Sequence, residues 1–550
     1  MTIFPKASRA RAVRPRRTRL SPFRRFYGAQ PLVAAWTVLA ILVLAAGLSG
    51  CKDLPDPKLS VTGGLAQSVT RDSAVVKALS TTLRVDLERD PSDRRTFTIS
   101  VLNIRADAVS IEVHGPEAGS NRPGAEPVIE TKRLSPTSME VLVKRGSGRI
   151  ILETTPQETE PLRFAVIGDT QGRNNVFSSM VPLINESEAE FLVHLGDMTP
   201  SGASREFEAF DEALSALGVP CFAVPGNHDV RDSDSDLFQA RFGQPNRYFD
   251  YAGWRVVFLD TSSLGLGPEG LSWLRETLGA SGSPKLVFMH VPPFDPRGED
   301  HCFLDQVEAA SLLDVLTDPE NVVKAVFNGH VHMFSQNAVE GVTFVTSGGG
   351  GAGLYASPQD GGFHHFAVVE ATPAGITVTP VEKPAGYASD DLVLSGKGGE
   401  MLLSLEELSG LETREAKVKY QNRYENLSAE RLYRGVPVRV LLDLVGGMEE
   451  SDTLVVYASD GYAQEFSYRN VFPDDSWLEI QGDMIVALSA DGKTPPDWQE
   501  GYRIAFFPPD GVYSNDDCAG TSVEGQGWGI YESAGARWVK NVVRLEVRPR

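Results

Sequence analysis

Between residues 161 and 382 the chain repeats one pattern: a run of three to five mostly apolar residues, with a Gly, Asp, Asn or His within two residues of its end. The apolar runs are Phe164–Ile167, Phe191–Leu195, Phe222–Val224, Val256–Leu259, Leu286–Met289 and Ala325–Phe327. Helical periodicity fills the gaps, as in Glu206–Leu217 and Leu271–Leu278. Short buried strands alternating with amphipathic helices leave few options beyond an α/β layered fold, with chemistry at the C-terminal ends of the strands. The polar groups stand at those ends: Gly168-Asp169-Thr170-Gln171, Gly196-Asp197, Gly226-Asn227-His228-Asp229, Met289-His290 and Gly329-His330-Val331-His332.

Read singly, each has an ordinary explanation, since Gly-Asp and Gly-Asn are common turn residues. Read together, they form one donor set of oxygen and imidazole nitrogen with no thiolate. Such a set suits Mn, Fe, Zn or Mg rather than a sulfur-seeking metal. An extended segment would turn His330 and His332 to one side, where they could serve two adjacent ions.

In order and spacing these five motifs resemble the calcineurin-like metallophosphoesterases over about residues 162–370. The resemblance implies a central fold of a β-sandwich flanked by helices and two divalent metal ions (Mn, Fe or Zn). Asp169, Gln171, Asp197 and His332 would hold the first metal. Asp197 would bridge to the second, held also by Asn227, His290 and His330. His228 would be catalytic, stabilising the transition state or protonating the leaving oxygen, and Asp229 is a candidate to orient it. The implied reaction is hydrolysis of a phosphomonoester or phosphodiester, with a metal-bridging hydroxide as nucleophile. Family members usually have His where Gln171 stands; a neutral amide oxygen is a poorer donor and implies a more labile first metal. Purple acid phosphatases place Tyr three residues after the bridging Asp, where this chain has Pro200, so an iron-tyrosinate centre is not expected. The competing reading is a surface or periplasmic lipoprotein that holds metal without turnover.

Charge divides the chain into two parts. Residues 1–50 hold nine basic residues and no acidic one; the remaining 43 basic and 73 acidic residues give a net of −30. An acidic body argues against nucleic-acid binding, which needs a basic surface. The Arg-rich start, the uncharged run 31–50 and the ending Leu48-Ser49-Gly50-Cys51 resemble a bacterial lipoprotein signal. That resemblance implies residues 1–50 as signal peptide, Cys51 as the lipidated residue and 51–60 as a tether. The expected location is the extracytoplasmic side of the bacterial cell envelope, with a membrane partner through the lipid. An uncleaved membrane-spanning anchor is the alternative, since about 20 apolar residues suffice to cross.

The chain thus reads as multidomain. Residues 61–160 carry short alternating β-runs, such as Thr96–Leu102 and Ser138–Val143, parted by turn residues, and read as an all-β sandwich. Residues 161–382 are the α/β unit, the Gly-rich span 383–400 reads as a linker, and 401–550 as an α+β unit. The last resembles the molybdopterin-binding domain of sulfite-oxidase-type proteins, through Leu402–Leu408, Tyr433–Leu442, Ala458–Tyr462 and Gly535–Lys540. The stretch Lys419–Arg423 lacks the cysteine that family uses to ligate molybdenum, so no molybdopterin is expected. Two Gly-x-Gly-x-x-Gly matches, at Gly265 and Gly348, lack a strand–turn–helix setting and read as loops, the second bordering the site. Cys221 and Cys302 are candidate thiols whose pairing the spacing leaves open.

Overall fold

The computed structural model describes residues 54–90, 92–116, 126–156, 161–231, 235–383, 391–495, 498, 500–523 and 533–549. The expected signal segment and Cys51 lie outside them. Among the described residues no helix is long and apolar enough to cross a membrane.

Residues 162–382 build two facing sheets. One has five strands in the order Cys221–Ala223, Leu192–His194, Leu162–Ile167, His365–Thr372, Gly375–Glu382. The other has six, ordered Arg247–Tyr251, Trp254–Phe258, Lys285–Phe288, Val323–Asn328, Val342–Ser347, Phe334–Val339. The inner strands of both run parallel, so their C-terminal ends emerge together on one rim. The layer between them is phenylalanine-rich: Phe164 and Phe191 stack at 5.4 Å and Phe288 and Phe327 at 5.1 Å. Burying each such ring contributes about 2 kcal/mol and fixes the spacing of the sheets. Helices Asn174–Glu186 and Ser204–Leu214 cover the outer face of the first sheet. Gly267–Gly279 and Gln306–Thr317 cover that of the second.

Upstream, strands from Lys58 to Thr154 form a four-stranded and a five-stranded sheet around Val76, Val85, Ile99, Val141 and Ile150. Strands Ser73–Ala78 and Phe97–Leu102 bury every second residue, the period-two pattern the sequence displays. Just past the latter, Asn103 adopts a left-handed φ of 62°. Its side chain accepts from Cys221 N (2.7 Å) and donates to Cys221 O (3.0 Å). A side-chain amide thereby pairs with the outermost strand of the five-stranded central sheet.

Downstream lie two further five-stranded sheets with short helices. The expected linker is corrected here: Leu392–Gly396 sits inside a sheet, between Gly399–Leu403 and Val542–Arg548. Leu392 and Leu394 are fully buried, and the Gly/Ser-rich residues after them form a tight hairpin in which Gly396 faces Gly399. A turn composition that suggests a linker serves here to reverse the chain.

Candidate metal centre

The five motifs converge on the rim where the parallel strands end. Beyond the strands, the first two loops keep running side by side: Asp169 N donates to Gly196 O (3.0 Å) and Gln171 N to Asp197 O (2.8 Å). Asp169, Gln171, Asp197 and His330 all hold positive φ, at 63°, 41°, 55° and 66°. A non-glycine residue in that region costs on the order of 1 kcal/mol or more. Four such residues at one site mark a backbone shaped for its side chains rather than for stability. Gly226 is demanded by crowding, since a Cβ there would collide with Asp197 Oδ1 and Asp197 N.

Two donor clusters result, with Asp197 between them. In the first, His332 Nε2 lies 3.4 Å from Asp169 Oδ1, and Gln171 Nε2 lies 3.0 Å from Asp197 Oδ2 and 3.5 Å from His332 Nε2. A half-turn of that amide would put its oxygen in the same place. In the second, His290 Nε2 lies 3.1 Å from Asn227 Oδ1, 3.3 Å from His330 Nδ1 and 3.4 Å from Asp197 Oδ1. The tautomers are set from behind: Nδ1 of His290 donates to Leu195 O (2.7 Å) and Nδ1 of His332 to Gly353 O (2.6 Å). That leaves Nε2 of each to face the cluster. Ring nitrogens and carboxylate oxygens pointing at one another within about 3.5 Å fit a cation held between them. Asp197, His290 and His330 form one such group.

Electrostatics agrees. Asp169, Asp197 and His290 are almost wholly buried. Burial opposes the His290 imidazolium, yet the Asp197 carboxylate outweighs it and raises the pKa to about 9. His330, desolvated and beside that positive charge, falls to about 3. For His332, hydrogen bonding to Asp169 outweighs burial and the shift is upward. The buried carboxylates are therefore balanced by positive charge even among the protein's own groups.

The structure places all nine expected metal and catalytic residues at this rim, with two corrections. His330 and His332 do not lie on an extended segment. Val331 N bonds Gly329 O and Met333 N bonds Val331 O, both at 2.7 Å, and these tight turns send the two rings into different clusters. Nor does Asp229 orient His228. Fully buried, its carboxylate accepts from Thr199 N (3.0 Å), Thr199 Oγ1 (2.9 Å) and Gly226 N (3.0 Å), which fixes the loop instead. His228 is oriented by the Pro200 carbonyl, 2.7 Å from Nδ1, and by its own N–H on Asp197 Oδ1 (2.8 Å). Its Nε2 looks into the site, 3.9 Å from Asp197 Oδ2 and 3.3 Å from Arg231.

The motifs do not reveal Tyr355, whose ring stacks on His332 at 4.1 Å and stands beside His301 at 5.0 Å. Arg297 holds this corner, bonded to Asp295 (2.7 Å) and His301 (2.9 Å) and lying over Tyr355. Only the Gly-rich segment before Tyr355 hints at it, because Gly348 and Gly350 let that chain press against Asp169 and Gly168. Backbone carbonyls such as Pro200 O leave no mark in a sequence. The other glycine match opens helix Gly267–Gly279, where Glu308 caps the N–H groups of Leu266 and Gly267 and fills the place of an anion. Cys221 and Cys302 are separate buried thiols.

A double-sheet α/β sandwich whose strand ends gather buried carboxylate, amide and imidazole donors defines a metal-binding domain of the hydrolase type. Residues 162–334 match the calcineurin-like phosphoesterase family, and this part of the chain is a metallophosphoesterase domain of that kind. The chain is 27% identical over 198 residues to a probable cyclic nucleotide phosphodiesterase of Psychrobacter sp. (strain PRwf-1), covering 32% of this chain and 54% of that one. It is 30% identical over 159 residues to the probable glycerophosphodiester phosphodiesterase GpdQ of Arcobacter nitrofigilis, covering 26% and 58%. It thus spans between half and two thirds of the length of these curated relatives. Among solved structures, the purple acid phosphatase PPD1 of yellow lupin (Lupinus luteus) aligns at 13% identity and TM-score 0.36, covering 55% of this chain and 70% of that one.

Proposed function

We propose that this protein is a two-metal phosphodiesterase, tethered through Cys51 on the extracytoplasmic side of the cell envelope. The observation that carries the reading is the position of Asp197, with one carboxylate oxygen toward Gln171 and the other toward His290. Asp169, Gln171 and His332 would hold one cation and Asn227, His290 and His330 the other, with Asp197 shared. When bound, such a pair supplies Lewis-acid charge against the phosphoryl oxygens and lowers the pKa of water. Similarity to two phosphodiesterases favours a diester over a monoester.

The protein's own groups do the rest. Because Nδ1 of His228 is committed to the Pro200 carbonyl, Nε2 is the ring atom free to exchange a proton with a leaving oxygen. With a side chain 24% exposed, that ring is open to solvent, whereas Asp197 is buried at 1%. Arg231, touching the same Nε2, adds positive charge where a departing alkoxide develops negative charge. Tyr355 and His301 form a partly exposed aromatic wall over the ligand histidines, suited to exclude water from one side.

The test is hydrolysis of bis(p-nitrophenyl) phosphate against p-nitrophenyl phosphate with Mn²⁺, in wild type, His228→Ala and Asp197→Ala. We expect diester turnover, roughly 100-fold slower without His228 and essentially absent without Asp197. Equal inertness of all three proteins that still bind metal would sink the enzymatic reading. For the anchor, radiolabelled palmitate should enter wild type and not Cys51→Ala; label in both would exclude Cys51 as the lipid site.

A further inference from the structure

Where the upstream strands meet the central unit, the fold surrounds a cavity of about 320 Å³ that shares no residue with the metal centre. Its apolar wall is Leu102 from the upstream side, with Leu214, Leu217 and Val219 from the end of helix Ser204–Leu214 and the turn behind it. Three charged side chains also line it: Lys77, Asp211 and Arg241. Two of them are spent on each other, since Arg241 Nε donates to Asp211 (2.7 Å) and its guanidinium lies over the Phe207 ring. Asn103 is likewise committed, to Cys221 and, through Nδ2, to Ala78 O (2.8 Å). Lys77 is different. Its half-buried side chain places the ammonium over the Phe242 ring at 4.5 Å, and among the described residues it has no hydrogen bond and no carboxylate within ion-pair distance. A ring face attracts a cation but offers no lone pair to its three N–H donors. Burial holds the Lys77 pKa below its ordinary value, although the Asp211 carboxylate works the other way.

An ammonium short of acceptors inside a cleft draws an anion, and the local charge limits which one. Lys77 and Arg241 against Asp211 leave a surplus of one positive charge. A monoanion neutralises that surplus, whereas a phosphate dianion would overshoot it beside the Asp211 carboxylate. Carboxylate oxygens accept from an ammonium in short, charge-assisted bonds. Among the described residues no aromatic ring lines the cavity, and its leucine and valine wall rewards a flexible aliphatic chain. A water-sized group takes about 30 Å³, so the volume holds about ten of them. We propose that this cavity binds a medium-chain aliphatic monocarboxylate, its carboxylate on Lys77 and its chain along Leu102, Leu214, Leu217 and Val219. This goes beyond the phosphodiesterase reading and does not depend on it.

Calorimetric titration of the full chain, carrying its metals, with octanoate tests this, and octan-1-ol is the uncharged control of equal length. Wild type is compared with Lys77→Met, which keeps an unbranched side chain and removes its charge. We expect saturable octanoate binding in wild type, weakened at least about tenfold in Lys77→Met. Octan-1-ol should bind wild type at least about tenfold more weakly than octanoate. Circular dichroism melting checks that Lys77→Met is folded. A second readout needs no variant: acetylation of lysines by an N-hydroxysuccinimide ester, followed by peptide mass spectrometry. With octanoate at about ten times its Kd, acetylation of Lys77 should slow about tenfold. Lys58, whose side chain is 79% exposed, should react at an unchanged rate. The proposal is overturned by any of four results: no saturable binding, octan-1-ol binding as tightly as octanoate, Lys77→Met binding as tightly as wild type, or undiminished acetylation of Lys77 under saturating octanoate.

Discussion

Asp197 stands between the two donor clusters, one oxygen toward Gln171 and the other toward His290, so under the two-metal reading its carboxylate has no conservative replacement. Asp197→Asn keeps the shape and removes the charge; we expect metal content to fall from two ions toward one or none and turnover to drop by about three orders of magnitude or more. Metal analysis and steady-state kinetics check this. Gln171 is the opposite case, a place where the donor can be improved. Gln171→His should bind the first metal roughly tenfold more tightly, read from chelator competition. The proton on His290 adds a pH dependence. Its pKa of about 9 lies above the unperturbed 6.5, so the metal-free folded protein keeps that proton at neutral pH and a cation taking Nε2 must expel it. Affinity should therefore rise with pH, roughly tenfold per unit, and level off above about pH 9. Titrations in buffers of different ionisation enthalpy would count the released proton, and a pH-independent affinity would contradict the assignment. At this scale the sequence was legible where a side chain brings the donor atom: Asp169, Asp197, Asn227, His290, His330 and His332 gather at one rim. It was mute where the partner is backbone: Pro200 O orients His228, and no residue type encodes a carbonyl's direction.

Elements were legible as far as their apolar runs. The expected strands at Phe164, Phe191, Phe222, Val256, Leu286 and Ala325 all exist, shifted by a residue or two at their ends. Periodicity fails where short-range turns take over, as at His330, or where Gly and Ser reverse the chain within a sheet, as at Gly396 and Gly399. The loop after the first central strand shows the stakes. Gly172 has φ +73°, and a Cβ there would sit 2.7 Å from that of Asp460. Gly172→Ala should therefore cost about 1–3 kcal/mol and disturb Gln171 beside it. A lowered thermal midpoint together with weakened first-metal binding is the expected pair of results. Loss of stability with unchanged metal affinity would show that the turn at Ser459 does not act on the centre.

For the whole molecule, the parts lean on one another more than a chain of separate domains would. Ser459 grips the loop at Gly172 from 287 residues downstream, and Asn103 reaches Cys221 from 118 residues upstream. Cys221, deeply buried, has its thiol pKa pushed up to about 12 by desolvation; in the native protein it should resist thiol reagents that label it after unfolding. The pairing at Asn103 bears on solubility. A sheet's outer strand presents a row of hydrogen-bonding groups to any extended chain that drifts past, and proteins that leave such a row bare tend to polymerise. The Asn103 amide works as a stopper, satisfying one donor and one acceptor in a form that cannot propagate. A fragment cut to residues 161–382 would lose it, and we expect that fragment to self-associate at concentrations where the full chain stays monodisperse in size-exclusion chromatography.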